Sequence, residues 1–454
     1  MLSNSLIEDD RAHLIHPVTS LRAHEQRGVI MLQSAKGCFI TDAYGQTLLD
    51  GFASLWCVNA GYGQESIVEV AMEQMRRLPY ATGYFHFGSE PAIRLATKLA
   101  EVTPGDLNHV FFTLGGSDAV DTVVRMVRYY NNVRGLKRKK HFISLERGYH
   151  GSSSNGAGLT ALPIFHDKFD LPRSWQHYIP SPYPYRNVVG EDPATITAAS
   201  VQALKDKVRE IGQENAAAFI CEPVQGSGSV IVPPTGYLTA MQAACRELGI
   251  LFVIDEVITG FGRTGPMFAC EHEGIEPDFM TVAKGLTSGY VPMGAAIVSD
   301  RIYEVIANGT ADGSAFGHGL TYSGHPVSAA VGLEVMRLYQ EGGLLENGRR
   351  VGDYFGRRLR EFRDHPLVGD VRSVGLLGAI ELVADKETKR KPSRDARIGP
   401  RLFDAGYKNG LIFRAFGDDT IGFAPPLCIT ESEVDLLIER LDKTLDLALD
   451  FKDV

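Results

Sequence analysis

The sequence predicts an α/β fold with a mostly parallel central sheet, followed by a smaller α+β domain. Six short apolar segments alternate with amphipathic helical stretches through the middle of the chain, a pattern typical of a parallel sheet covered by helices. This alternation ends near residue 330, after which helices lead into short strands and a closing helix. A chain of 454 residues is long enough for two such domains.

The predicted elements follow in order along the chain. Up to about residue 60 we expect a short helical lead and a hairpin, whose strands 37–42 and 46–50 flank a turn at 43–45. The strands predicted for the central sheet are 109–113, 141–145, 217–221, 251–254, 279–282 and 295–298. The other elements are helices at 119–131, 238–248, 327–341, 348–362 and 431–451, and strands at 368–374 and 376–382.

The change of pattern predicts the domain boundaries. We expect residues 1–60 to pack with the small domain, 61–328 to form the large domain and 329–454 to form the small one. Pro326 lies close to the second boundary and is expected to open a helix at its first position.

Charge and cysteine content limit the class of protein. The chain has 46 Lys and Arg against 55 Asp and Glu, so we expect no nucleic-acid partner, which would require a basic face. Its six cysteines show no CxxC spacing and indicate neither a metal site nor a disulfide framework. The N-terminus has no apolar signal segment, and no apolar run is long enough to span a bilayer. We therefore expect a cytoplasmic protein without membrane association.

Two charged residues follow neighbouring apolar strands. Asp255 comes directly after 251–254, and ligands of open α/β sheets lie outside the carboxyl ends of strands, although a strand-end acid is more often a turn or helix cap. Lys284 follows 279–282 and precedes a glycine. It is either a surface lysine or an amine in a partly dry pocket, where a lowered pKa would allow it to form a Schiff base.

A phosphate site is predicted where the strand 109–113 runs through Gly115 and Gly116 into a helix capped by Ser117. The glycines let the backbone approach an anion, and the helix N-terminus offers free N–H groups and the positive end of its dipole. Many helix caps of this kind bind nothing. The GxGxxG match at 260–265 is interpreted as a chance match in a loop, because no helix opens on it.

The acid, the amine and the phosphate site have a joint interpretation. Pyridoxal 5'-phosphate needs an anchor for its phosphate, a lysine for its aldehyde and an acid that keeps its pyridine nitrogen protonated. Lys284 and Asp255 would fill the last two needs. The alternative of a non-catalytic phosphometabolite-binding protein would have no use for that lysine and aspartate.

Nearly the whole chain, from Leu49 to the last helix, resembles the class III pyridoxal-phosphate aminotransferases of fold type I, and most closely the ω-aminotransferases that use pyruvate. The matching segments are 115–119 (GGSDA), 148–151 (GYHG), 222–226 (EPVQG), 255–257 (DEV), 260–265 (GFGRTG), 283–285 (AKG) and 319–326 (GLTYSGHP). The first of these departs from the family's usual Ser-Gly-Ser or Gly-Ser-Glu. We expect phosphate binding to survive this change, because backbone N–H groups do much of it.

The resemblance implies a role for each matching residue. Lys284 would hold the cofactor and move the proton between substrate and cofactor, and Asp255 would pair with the pyridine nitrogen. The other implied cofactor contacts are Gly116 and Ser117 at the phosphate, Tyr149 and Val257 on the two ring faces, Glu222 in the network beside Asp255, and Thr321 at the phosphate of the neighbouring subunit. The implied assembly is a homodimer or a dimer of dimers.

The resemblance also implies the substrate contacts. Trp56, with Leu55 and Cys57, would form an apolar wall for the amine donor, and Tyr149 would border the same pocket. Arg414 would bind the carboxylate of the keto acid, because an arginine can donate two parallel hydrogen bonds to it, although a surface salt bridge is the plainer interpretation. His86 stands where relatives often have phenylalanine, in an aromatic segment that would line the partner's pocket.

The predicted reaction moves an amino group from an ω-amino acid, a diamine or another primary amine to pyruvate or another keto acid. The products would be alanine and an aldehyde or ketone. An aminomutase, racemase or decarboxylase on the same scaffold stays open at this point, because the cofactor contacts barely distinguish these reactions.

Overall fold

The structure of the protein is a computed structural model that describes residues 4–449, apart from the side chains of Asn4 and Arg394. The helices of this part of the chain are α1 (Asn4–His13), α2 (Leu21–Arg27), α3 (Ala53–Trp56), α4 (Glu65–Arg77), α5 (Glu90–Val102), α6 (Gly116–Val133), α7 (Ser154–Leu159), α8 (Pro193–Ile211), α9 (Tyr237–Glu247), α10 (Asp300–Asn308), α11 (Pro326–Gln340), α12 (Leu344–Arg360), α13 (Ile398–Lys408) and α14 (Glu431–Leu449). Among them α3 is a single kinked turn with non-helical backbone angles inside it.

The strands of the same part of the chain form three sheets. They are β1 (Leu32–Lys36), β2 (Phe39–Asp42), β3 (Thr47–Asp50), β4 (His109–Thr113), β5 (His141–Leu145), β6 (Gln176–Ile179), β7 (Ala216–Cys221), β8 (Leu251–Asp255), β9 (Phe279–Val282), β10 (Gly294–Val298), β11 (Val368–Val374), β12 (Leu377–Leu382), β13 (Leu411–Ile412), β14 (Arg414–Ala415) and β15 (Thr420–Phe423).

The central sheet has the strand order β4-β10-β9-β8-β7-β5-β6. Its strands share one direction except β10, which is antiparallel to both of its neighbours. Every residue of β7, β8, β9 and β10 is buried, as expected for apolar strands covered by helices on both faces. The predicted α/β fold is confirmed, and all six predicted strands form with bounds within one residue of those expected.

Two differences from the predicted elements have clear physical reasons. Strand β6 pairs in parallel with β5 but was not predicted, because its sequence is mixed and its two central residues are only half-buried. Helix α12 begins at Leu344, before the predicted start at Gly348. The glycine lies inside the helix, where its backbone faces Leu427 and an added β-carbon would come within 3.3 Å of that side chain.

The two smaller sheets have the orders β1-β2-β3-β13 and β11-β12-β15-β14. Strand β3 pairs in parallel with β13, so the N-terminal hairpin is joined to the C-terminal part of the chain. Pro326 is the first residue of α11, as predicted. The closing helix begins at the predicted Glu431, and its predicted last two residues lie outside the described part of the chain. The two domain boundaries stay predictions. No described helix has the length and apolar character needed to cross a membrane.

Candidate active site

Three neighbouring strands bring the predicted acid and amine to one edge of the central sheet. In the register of β7, β8 and β9, Cys221 lies beside Ile254, and Asp255 lies beside Thr281. These strands are parallel, so the residues at their carboxyl ends share one edge. Glu222 follows β7, Asp255 ends β8 and Lys284 follows β9 by two residues.

Asp255 is buried and held in one orientation by two hydrogen bonds. One carboxylate oxygen accepts from the backbone N–H of Val257 at 3.1 Å, and the other lies 2.8 Å from Nδ1 of His150. His150 is also buried, and its Nε2 has no partner within residues 4–449. No role for His150 is predicted from the sequence. His150 belongs to the GYHG segment that matches the family, but the only contact predicted from that segment is that of Tyr149.

Glu222 is buried beside this pair and accepts two backbone hydrogen bonds. Its oxygens bind the N–H groups of Tyr149 and Gly226, each at 2.9 Å. Burial, and to a lesser extent the charge of Asp255, raises the pKa of Glu222 to about 7 against the opposing effects of His150 and the two backbone hydrogen bonds. Glu222 is therefore a buried acid that fixes the segment carrying Tyr149.

The raised pKa of Glu222 predicts a pH-dependent stability. The fold favours the protonated acid, so its contribution to stability is full below about 4.5 and is lost as pH rises to about 7. Glu222→Gln imitates the protonated form. We expect the difference in Tm, variant minus parent, to increase between these pH values and to stay constant above them.

Thermal unfolding of cofactor-free protein across this pH range measures the effect. The glutamine side chain also places its NH2 group against one of the two backbone N–H groups. This cost is the same at every pH, so it shifts the difference in Tm by a constant amount. A difference in Tm that does not change with pH would show that Glu222 is ionised throughout the range.

Lys284 lies half-buried beside these acids, in the left-handed backbone region at φ 42°. Its Nζ makes no hydrogen bond or ion pair with any described residue, and it lies 5.1 Å from the centre of the Trp56 ring. Burial lowers the pKa of Lys284, opposed by Cys57 and Asp255. The lysine is thus an unpaired amine in a poorly hydrated pocket. This agrees with the interpretation of Lys284 as a Schiff-base amine rather than as a surface lysine.

The predicted phosphate site lies at the start of α6, with one correction. Ser117 does not cap the helix, because α6 begins at Gly116 and Gly115 is its N-terminal cap. Ser117 lies in the first turn, where backbone N–H groups have no partner within the helix, and its Oγ accepts from the N–H of Ser152 at 3.1 Å. The N-terminus of this 18-residue helix therefore still faces the sheet edge with unpaired donors and a hydroxyl.

The space around these residues fits a phosphorylated pyridine aldehyde. A β-carbon on Gly116 would come within 2.9 Å of a methyl group of Val257, and one on Gly151 within 2.6 Å of Ser117 Oγ. Gly151 also has a φ of 107°, which side-chain-bearing residues rarely adopt. These glycines let Val257 and Ser117 pack closely against the backbone beside the N-terminus of α6, where an anchored anion would lie. Among the described residues an unpaired amine and an oriented carboxylate border the same edge.

The residues predicted for the donor wall, Leu55, Trp56 and Cys57, differ in how far they are buried. Trp56 is buried, with its ring 4.4 Å from that of Phe52 and 6.4 Å from that of Phe416. Leu55 is 52% exposed and therefore does not belong to this wall within the single chain. Cys57 is half-buried next to Lys284.

Asp50 shapes the loop that carries Trp56, and the sequence analysis missed it. Its buried carboxylate accepts hydrogen bonds from the N–H groups of Phe52 (3.0 Å) and Ser54 (2.7 Å) and from the hydroxyl of Tyr62 (2.7 Å). Ser54 and Trp56 have φ of 58° and 57°, a region that costs such residues about 1 kcal/mol or more each. These hydrogen bonds hold the strained turn that directs Trp56 towards Lys284.

Arg414 lies at the edge of this aromatic group. It is exposed on β14, its guanidinium carbon is 5.8 Å from the centre of the Phe416 ring, and it forms no ion pair with residues 4–449. Among the described residues, Arg414 therefore does not form the surface salt bridge that was the alternative prediction for it. A free guanidinium beside Phe416 is available to a carboxylate ligand.

His86 and Thr321 lie on an exposed surface of the chain rather than against Lys284. The hydroxyl of Tyr80 donates to the carbonyl of Thr321 at 2.9 Å. Tyr84 lies so close to Gly319 that a β-carbon there would meet its hydroxyl. The two segments predicted to serve the neighbouring subunit thus pack on each other and face outward together. The position of Tyr149 differs, because its hydroxyl is 3.1 Å from Ser152 Oγ, beside the phosphate site.

Comparison with known proteins supplies independent information. The family model of the class III aminotransferases matches residues 21–445. A putrescine–pyruvate aminotransferase of Pseudomonas aeruginosa is 43% identical over 437 residues, which cover 96% of this chain and 94% of the relative. A diaminobutyrate–2-oxoglutarate transaminase of Halomonas elongata is 39% identical over 452 residues, 98% and 96% of the two chains. The crystal structure of an omega transaminase from Pseudomonas jessenii in complex with PMP has a TM-score of 0.96 and 38% identity, and the match covers 98% of both chains.

Proposed function

The chain belongs to the class III aminotransferases and is a pyridoxal-phosphate-dependent transaminase, and on this basis we propose that it transfers the amino group of a primary ω-amine to pyruvate. The relatives named above are transaminases, which favours this reaction over an aminomutase, racemase or decarboxylase reaction. The observation that carries the proposal is the unpaired Lys284 beside Trp56, whose ring neighbours Phe416, the aromatic side chain that the free guanidinium of Arg414 approaches.

Pyridoxal phosphate supplies an electrophilic aldehyde and a ring that accepts electrons from the substrate carbon. We propose that Lys284 Nζ would hold that aldehyde and, when free, would act as the base that takes the proton from the substrate carbon and as the acid that returns it. Burial favours the uncharged amine, which a base requires. Asp255 would place its charge at the pyridine nitrogen, with His150 and the N–H of Val257 fixing its orientation.

The pocket chemistry supports the substrate class. Trp56, Phe52 and Phe416 offer an apolar wall that suits the methylene chain of a diamine or ω-amino acid. Arg414 would bind the acceptor carboxylate with two hydrogen bonds and leave the pocket when the substrate has none. One named relative pairs putrescine with pyruvate and the other pairs diaminobutyrate with 2-oxoglutarate. Pyruvate has a single carboxylate. It is proposed because the described residues that line the apolar wall include no cation that could bind the second carboxylate of 2-oxoglutarate.

A donor and acceptor panel tests this assignment. Purified enzyme is given a terminal diamine, β-alanine, taurine or 4-aminobutyrate, each with pyruvate and separately with 2-oxoglutarate, and the alanine or glutamate formed is measured. We expect alanine from at least one of these donors and slower turnover of the same donor with 2-oxoglutarate. Faster glutamate than alanine formation with every donor would overturn the choice of pyruvate.

Replacement of Arg414 by alanine tests its role in binding the acceptor. Hydrogen bonds to charged groups contribute about 1.5–3 kcal/mol, so kcat/KM for pyruvate should fall roughly 10- to 100-fold. The value for a diamine without a carboxylate should stay close to that of the parent. The transamination consists of two half-reactions, and kcat/KM for each substrate reports only the half-reaction in which that substrate takes part. The effects of the variant on pyruvate and on the diamine are therefore measured separately.

Arg414→Lys is the matched variant, because it keeps the charge and loses the paired hydrogen bonds. It should lie between the parent and Arg414→Ala for pyruvate. Equal losses for pyruvate and diamine in Arg414→Ala would assign the arginine to folding rather than to acceptor binding.

We also propose a homodimer as the smallest active unit, or a dimer of dimers, located in the cytoplasm. The outward-facing His86 and Thr321 support the dimer, since neither contributes to a pocket within its own chain. Several apolar side chains on the exposed side of α4 support it too: Val68, Met72 and Met75 are each 45–54% exposed. The six free cysteines agree with a reducing compartment.

A further inference from the structure

The N-terminal helices carry a set of metal-ligand side chains far along the chain from the active-site residues. Asp10 lies in α1, His16 in the connection and His24 in α2. One oxygen of Asp10 lies 2.7 Å from Nε2 of His16, and the other lies 2.7 Å from Nε2 of His24. The two imidazole rings are 4.3 Å apart at an angle of 45°. One ligand atom from each residue lies within 4.8 Å of the others.

The donor types point to a particular class of ion. Two imidazole nitrogens and one carboxylate oxygen suit Zn²⁺ and related divalent transition metals, whereas Ca²⁺ and Mg²⁺ prefer oxygen ligands. An ion with ligands at about 2.0–2.2 Å spans ligand atoms up to roughly 4.4 Å apart, so small side-chain movements would close the set around it. The side chains are 24%, 12% and 9% exposed for His16, His24 and Asp10, so water can fill a fourth position.

The surroundings give such an ion a structural purpose. None of the described side chains between residues 5 and 28 is fully buried, so these helices have little apolar attachment of their own. Helix α2 is held to α13 by the ion pair of Arg27 with Asp404, at 2.5 Å. Helix α1 meets the end of α2 where Arg11 packs beside Gly28. The Asp10 carboxylate is thus a polar link from α1 to α2.

We propose that Asp10, His16 and His24 form a binding site for one divalent transition-metal ion of the zinc class, which fastens α1 to α2. On binding, the Nε2 proton that each imidazole donates to Asp10 is released to solvent or moves to Nδ1, and the Nε2 lone pair then binds the ion. The two hydrogen bonds to Asp10 are replaced by bonds from three ligands to one cation. The ion crosslinks residues 10–24 into a closed loop, and its role is independent of the transamination proposed above.

Calorimetric titration of untagged holoenzyme, stripped of metal with a chelator, with Zn²⁺ and separately with Ni²⁺ tests the proposal. We expect about one ion bound per chain in the parent. His24→Gln and Asp10→Asn should each lose that equivalent while retaining transaminase activity. His141→Gln is the matched control, because His141 also faces a second imidazole, that of His177 at 2.8 Å, but no described carboxylate is hydrogen-bonded to either ring. It should bind the ion as the parent does.

Limited digestion with trypsin supplies a second readout. Zn²⁺ should slow cleavage at Arg11 and Arg22 in the parent and leave the rate unchanged in His24→Gln. Parent protein that binds no equivalent of either metal would overturn the proposal. So would parent and His24→Gln proteins that bind the same number of ions with the same affinity.

Discussion

Lys284→Ala should abolish turnover, lowering kcat by roughly 10²- to 10⁴-fold for the loss of proton transfer alone. The variant also loses the only amine that lies among Trp56, Asp255 and Glu222 in the described part of the chain. Borohydride reduction followed by peptide mass mapping should find the cofactor mass on the peptide that contains Lys284 in the parent. The variant should carry no such label.

Lys139→Ala is a suitable control for this experiment. Burial lowers the pKa of Lys139 as it does that of Lys284, but Lys139 lies before β5 at the opposite end of the strand from the site. It should keep full activity and the same labelled peptide. Cofactor found on any other lysine of the parent, or substantial turnover by Lys284→Ala, would contradict the role assigned to Lys284.

Asp255→Asn is expected to give the second-largest loss, with kcat lowered roughly 10²- to 10³-fold, the range for losing one oriented electrostatic contact. An amide has no charge to keep the pyridine nitrogen protonated. The amide also has a single oxygen, whereas Asp255 uses one oxygen to accept a hydrogen bond from Val257 N–H and the other to contact His150. Steady-state kinetics at saturating cofactor measures the loss, and the absorbance spectrum reports whether the cofactor still binds.

Glu256→Gln separates this effect from a general disturbance of the strand end. Glu256 is the next residue along the chain, and its carboxylate is bound elsewhere, by the hydroxyl of Thr259 and the N–H of Cys270 at 2.8 Å. It should lower Tm with little change in kcat. A kcat for Asp255→Asn within a fewfold of the parent would mean that Asp255 does not face the reacting ring.

The sequence predicted the central part of this site because strand ends are encoded locally. The apolar runs before Asp255 and Lys284 identify two buried strands, and adjacency of parallel strands places their ends together. Glycines at Gly116 and Gly151 are visible in the sequence as well, and both lie where a β-carbon would collide with a neighbour. For these residues, short-range pattern and long-range geometry agree.

Other parts of the site depend on contacts that no local pattern contains. The hydrogen bond of His150 to Asp255 spans 105 residues, and only the folded sheet shows it. The position of Trp56 depends on a strained turn that Asp50 and Tyr62 hold in place, which helical or strand periodicity does not predict. A sequence predicts the start of a helix only to within a residue or two, which is why the predicted cap at Ser117 is wrong.

Isotope transfer tests the central claim most directly. The enzyme is incubated with a ¹⁵N-labelled terminal diamine and unlabelled pyruvate, and alanine and ammonia are analysed by mass spectrometry. Transfer of the amino group from an ω-amine to pyruvate predicts that alanine contains ¹⁵N in an amount equal to the donor consumed, with no labelled ammonia. Labelled ammonia without labelled alanine, or consumption of the diamine without pyruvate beyond one equivalent of enzyme, would contradict the proposed reaction.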